Sequence, residues 1–92
     1  MKSLNMLDDF SNPRVVMRKA RRMGLQVRPS TRRDKKYMLI KGTKKIHFGL
    51  MGYEDWTKHH DVKRRRAFQT RNKKWATAPK DTPAYLSYHL LW

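Results

Sequence analysis

The sequence predicts an α+β fold: a small antiparallel sheet of two or three strands packed with an N-terminal helix, a basic helix and a hydrophobic C-terminal helix. Three observations predict it. Apolar residues recur at helical spacing before Gly24, form a short β-favouring run at Tyr37–Ile40 and an alternating one at Lys45–Leu50, and return in helical blocks after Asp61. Pro13 and Pro83 each follow a capping residue, where a first-turn proline loses no hydrogen bond. Gly24 and Gly42 stand where a helix must stop and a hairpin must turn.

Residues 1–10 mix Leu4, Met6, Leu7 and Phe10 with Asp8 and Asp9, and read as a loose arm or a short helix. From Ser11 the chain reads SNPRVVMRKARRMG. Ser11 or Asn12 can accept from the first free amides, and Gly24 suits the left-handed residue past the end. Val16, Ala20 and Met23, spaced by four and three, are expected to face inward, with Arg14, Arg18, Arg21 and Arg22 over the remaining surface. Leu25 and Val27 then alternate with polar neighbours, Pro29 to Asp34 reads as a polar loop, and Tyr37–Ile40 and Lys45–Leu50 form a hairpin about Gly42.

Gly49 and Gly52 bracket a loop, and Tyr53 to His60 has room for one helical turn. Asp61 can serve as the N-cap of VKRRRAFQTRNKKW, read as a helix of about four turns in which Phe68 and Trp75, with Arg64 or Ala67 nearby, make a narrow apolar stripe. Thr82 and Pro83 open a final hydrophobic helix, Tyr85 to Trp92, expected to close the core. Ninety-two residues with no linker composition predict a single domain over residues 1–92.

Charge dominates the functional reading. Twenty-three Lys and Arg against seven Asp and Glu give a formal charge of +16, far beyond what solubility requires. Such self-repulsion implies a polyanionic partner, nucleic acid before all others because phosphate contacts release condensed counterions. The cations run through expected helices and strands rather than a tail. Arg64, Arg65, Arg66, Arg71, Lys73 and Lys74 are the first expected contacts, and Arg18, Arg21, Arg22, Lys44 and Lys45 the second. Lys35, Lys36 and Lys41 extend the line along the strands. No residue spacing distinguishes base reading from phosphate neutralisation, so sequence-independent binding, most simply to double-stranded DNA, is expected. KRRR also resembles a nuclear-import signal.

Other chemistry is weaker. Cysteine is absent, which removes disulfides and thiolate sites. His47, His59, His60, Glu54, Asp55 and Asp61 have the right types for a metal-dependent nuclease, but adjacent histidines cannot share a metal from a regular helix and no HExxH spacing occurs. Structural histidines, no enzyme activity, no metal and no cofactor are therefore expected. Gly42, Gly49 and Gly52 are spaced as turn residues, not as a phosphate cradle. The aromatics include candidate stacking platforms for single strands, with core filling the simpler role for most of them. Apolar runs of four or five residues fall far short of a membrane span, so no membrane partner is expected.

The blocks STRRDKKYMLIKGTKKIHFGLMGYEDWTKHHDVKRRRAF, RNKKW and TPAYLSYHLLW, over about residues 30–92, resemble a family of small, basic, functionally uncharacterised proteins of large double-stranded DNA viruses. That resemblance implies a viral source, a place in the virion, the host nucleus or a cytoplasmic virus factory, and no established activity. It opens one alternative: a minor capsid component that binds coat proteins, with YLSYHLLW as a docking helix. A topological likeness to sheet-then-helix DNA-binding modules of the AP2 type rests on the strand ending at Phe48-Gly49 and the helix that follows.

Overall fold

The computed structural model describes residues 7–92. Residues 7–10 form a helical turn, followed by α1 (Pro13–Arg22), β1 (Val27–Pro29), β2 (Lys35–Lys41), β3 (Lys44–Leu50), α2 (Trp56–His59) and α3 (Val62–Arg71). A 3-10 turn (Lys73–Thr77) leads to α4 (Pro83–Leu86), which continues as a π-wound turn, Ser87–Leu91. The architecture is α+β, and the three strands form one antiparallel sheet in the order β1-β2-β3.

Local signals explain the boundaries. The Asn12 side chain accepts from Val15 N–H at 3.4 Å and Pro13 occupies the first turn of α1. Gly24 has φ +72°, so the helix ends as expected. Gly42 has φ +62° between the paired Lys41 and Lys44, and a positive φ at only the first of two loop residues matches a type II′ hairpin. Thr82 accepts from Tyr85 N–H at 3.3 Å, with Pro83 next, and opens the last helix.

Register sorts the sheet. Val27, Leu39 and Ile46 lie side by side, as do Tyr37 and Phe48, whose rings stack at 5.8 Å. These residues join Val16, Ala20, Leu86, Leu90 and Leu91 in one apolar cluster, so the C-terminal helix does close the core. Leu7 is buried in the same cluster, which ties residues 7–10 to the fold rather than to a loose arm; residues 1–6, the rest of that expected arm, lie outside the described residues.

Two expectations need correction. Met23 is 38% exposed, because it caps α1 past the last full turn instead of completing its inward stripe. Pro29 is not loop but the last residue of β1, paired with Tyr37. β1 is an edge strand, where a missing N–H costs no ladder bond.

Gly49 carries a packing requirement. Its φ is +79°, and a Cβ there would sit 2.9 Å from Leu91 Cδ1 and 3.1 Å from Lys36 Cβ. The absence of a side chain here lets Leu91 of the C-terminal helix pack directly on the β3 backbone. Gly49→Ala combines left-handed strain with that clash, and is expected to lower unfolding free energy by about 1–3 kcal/mol, read as a reduced urea midpoint. Gly24→Ala, which meets nothing within 4 Å, serves as the strain-only control. No helix among the described residues is long and apolar enough to cross a membrane.

Candidate nucleic-acid interface

The basic helix is set by two consecutive caps. Asp55 accepts from Thr57 N–H at 3.0 Å and starts α2, which His60 ends in the left-handed conformation at φ 54°. Asp61 Oδ1 then accepts from the N–H groups of Lys63 and Arg64 at 3.0 and 3.2 Å and starts α3. The helix runs ten residues, not the expected four turns. At Asn72 the backbone leaves helical values, its Nδ2 donates to Phe68 O at 3.1 Å, and Lys73, Lys74 and Trp75 continue on the 3-10 turn.

Half-burial along α3 falls on Arg65, Phe68, Gln69 and, at its cap, Asn72, spaced i, i+3, i+4 and i+7. Neither Arg64 nor Ala67 belongs to that inward stripe; both are exposed. The outward surface carries Lys63, Arg64, Arg66 and Arg71 around the short side chains Ala67 and Thr70. Lys63, Arg66, Ala67, Thr70 and Arg71 line a single shallow groove. A cationic ridge with small residues at its centre lets a phosphate backbone approach the helix closely while several charges engage at once.

Arg65 departs from its expected role. Its guanidinium lies 4.5 Å from the centre of the Trp56 ring, and Nε donates to Trp92 O at 2.8 Å. Lys19 Nζ on α1 donates to Leu90 O at 3.4 Å. Two cations from different helices thus hold the main-chain oxygens of Leu90 and Trp92 at the end of the C-terminal helix, where the helix dipole favours positive charge. Burial, then the neighbouring Arg65 charge, lowers the pKa of Lys19.

Lys36 departs further. It is 3% exposed, with Nζ donating to Tyr53 O and to Asp55 Oδ2 at 3.1 Å. Burial lowers its pKa and the Asp55 carboxylate opposes that shift. The other Asp55 oxygen accepts from the Thr57 hydroxyl, and Thr57 Oγ1 accepts from Asn12 N–H at 3.0 Å and lies 3.2 Å from Ser11 Oγ. Tyr37 Oη donates to Ser11 Oγ at 2.7 Å, and burial raises its pKa. This buried polar chain joins the start of α1, β2 and α2. Lys36 is therefore unavailable to a partner, and Asp55, a candidate metal ligand by type, is a structural carboxylate.

The remaining expected contacts are exposed in separate groups: Arg18, Arg21 and Arg22 on α1, Lys44 and Lys45 after the hairpin turn, and Lys73 and Lys74 on the 3-10 turn. Lys41 pairs with Asp81 at 3.2 Å and lowers its pKa, chiefly by hydrogen bonding. Only three ion pairs occur among the described residues, at Arg32, Lys36 and Lys41, so most of the excess charge faces solvent without a carboxylate partner.

Three of the four histidines make hydrogen bonds within the fold. His47 Nδ1 and Ser30 Oγ lie 2.7 Å apart, and His89 Nε2 donates to Ala76 O at 2.9 Å. His59 Nδ1 accepts from Asp61 N–H at 2.8 Å beside the Trp92 ring, while its Nε2 is buried without a partner. No group of three or more metal-ligating side chains occurs among the described residues.

Burial, then Arg64, lowers the pKa of His59 below its ordinary 6.5. The folded protein therefore favours the neutral ring, and a proton at Nδ1 would displace the Asp61 amide that leads into α3. This contribution is present above pH 6.5 and is lost as pH falls through 6.5 toward the lower folded value. The urea midpoint is expected to drop between pH 7.5 and 5, with a smaller drop in His59→Gln.

These features define a class: a small α+β protein whose cationic exterior is mostly unpaired among the described residues, with a basic helix held outward by aromatic packing. The chain belongs to a family of unknown function, DUF5754, which matches residues 25–76. That stretch holds the whole sheet, α2, α3 and most of the 3-10 turn, while the elements that supply Val16, Ala20, Leu86, Leu90 and Leu91 to the core flank it. No curated protein and no solved structure matches the chain.

Proposed function

We propose that the protein is a non-enzymatic, largely sequence-independent DNA-binding protein that neutralises or organises a viral genome, with α3 as its principal contact. The observation that carries this reading is the outward face of α3, where Lys63, Arg64, Arg66 and Arg71 are exposed around Ala67 and Thr70 in a chain of formal charge +16. Lys73 and Lys74 extend the line, and Arg18, Arg21, Arg22, Lys44 and Lys45 form secondary contacts. The viral setting and a place in the virion rest on the resemblance of the blocks over about residues 30–92 to proteins of large double-stranded DNA viruses.

The expected result is duplex affinity that falls steeply with salt, since each neutralised phosphate contributes a slope of about −0.9 in log K against log salt. Absent or salt-insensitive binding overturns the reading. Crosslinking to coat protein in particles emptied of DNA would replace it with a capsid role.

A further inference from the structure

A second surface borders the basic helix. Leu50, Tyr53 and Trp75, exposed by 52%, 67% and 37%, all line one groove of about 530 Å³ whose apolar wall includes Phe68, Leu91 and Trp92. Phe68 stacks on Trp92 at 4.3 Å with the rings nearly parallel, and meets Trp75 edge-on at 5.8 Å. The groove thus has a rigid aromatic wall and two rings, Tyr53 and Trp75, left open to solvent. A core that merely closed itself would not leave three large apolar side chains open beside one groove.

The charge around it selects an occupant. Lys35 lines the groove, and the exposed Lys73 and Lys74 immediately precede Trp75 on the 3-10 turn. Glu54 is the single acidic side chain in the lining, and the Lys36 amine is taken by Asp55. An acyl chain or an apolar peptide would fill the cavity and leave this cationic rim unmatched. A single nucleic-acid strand matches both parts: planar bases for the rings and phosphates for the rim.

We infer that the Tyr53–Trp75 groove takes unpaired nucleobases of a single strand whose phosphates lie along Lys35, Lys73 and Lys74. The inference rests on the nucleic-acid reading of α3 and adds to it a preference for unpaired bases. Stacking on Tyr53 or Trp75 needs no base-specific hydrogen bond, so it keeps binding sequence-tolerant while favouring melted or single-stranded segments.

The test compares three probes on the full chain: a dT oligonucleotide, an abasic phosphodiester of equal length, and a duplex. The dT strand is expected to bind about tenfold more tightly than the abasic strand and to quench tryptophan fluorescence. Tyr53→Ala and Trp75→Ala are each expected to remove most of that advantage, Tyr53→Ala with duplex affinity kept within about twofold. Tyr53 is the safer variant because most of its surface is exposed and its loss leaves the core intact. Equal affinity for dT and abasic strands, with duplex binding retained, overturns this inference and leaves the α3 reading standing. Absence of binding to all three probes overturns both.

Discussion

Asp55→Ala is expected to destabilise the fold by about 3–5 kcal/mol, the cost of stranding one partner of a buried ion pair. Asp55 is fully buried and serves two partners at once: it neutralises the buried Lys36 amine and caps α2 through Thr57. Removing it leaves an ammonium 3% exposed with only the Tyr53 carbonyl as acceptor, and releases the start of α2. Against a total stability of about 5–15 kcal/mol for a domain, that loss approaches global unfolding. The measurement is urea denaturation followed by circular dichroism. Lys36→Met in the Asp55→Ala background is expected to recover part of the loss, because the stranded charge is the costlier half of the broken pair. No recovery would show that the α2 cap, not the ion pair, carries the effect.

Arg64, Arg66 and Arg71, changed together to Ala, are expected to flatten the salt slope of duplex binding by about 2.7, at about 0.9 for each phosphate no longer neutralised. All three are exposed, so urea midpoints should stay close to the wild-type value. Arg65→Ala should do the reverse. Its guanidinium covers Trp56 and donates to the Trp92 main-chain oxygen, so its removal is expected to cost about 2 kcal/mol of stability while the slope changes little. Arg65 stands beside Arg64 and Arg66 in the chain, so the pair of experiments separates a structural arginine from binding arginines within one helical turn. A salt slope that falls as much for Arg65→Ala as for Arg64→Ala would move the interface to the opposite side of α3.

The elements were legible where their causes are local. Asn12, Asp61 and Thr82 cap helices because their side chains reach amides two or three residues ahead, and Gly42 turns the hairpin within a two-residue loop. Such interactions need no knowledge of what packs against the segment. The four-turn reading of the basic helix failed at Asn72, where a side chain that bonds its own preceding turn competes with helix continuation. Its inward stripe escaped the sequence reading because three of its four members, Arg65, Gln69 and Asn72, are polar, and hydrophobic spacing does not register them.

From its residue order alone, this chain specified an α+β protein, its turns and caps, and an excess of positive charge too large for self-contained pairing. Which cations are free to use that charge depended on neighbours distant in sequence. Lys36 meets Asp55 across nineteen residues and Arg65 meets Trp92 across twenty-seven, and both are withdrawn from the surface. Arg64 and Arg66 differ from Arg65 only by the turn of about 100° per residue that points them away from the C-terminal helix. Composition counts charges without regard to direction, whereas the packed helix gives each one a side, and that side decides whether it stabilises the fold or meets a partner.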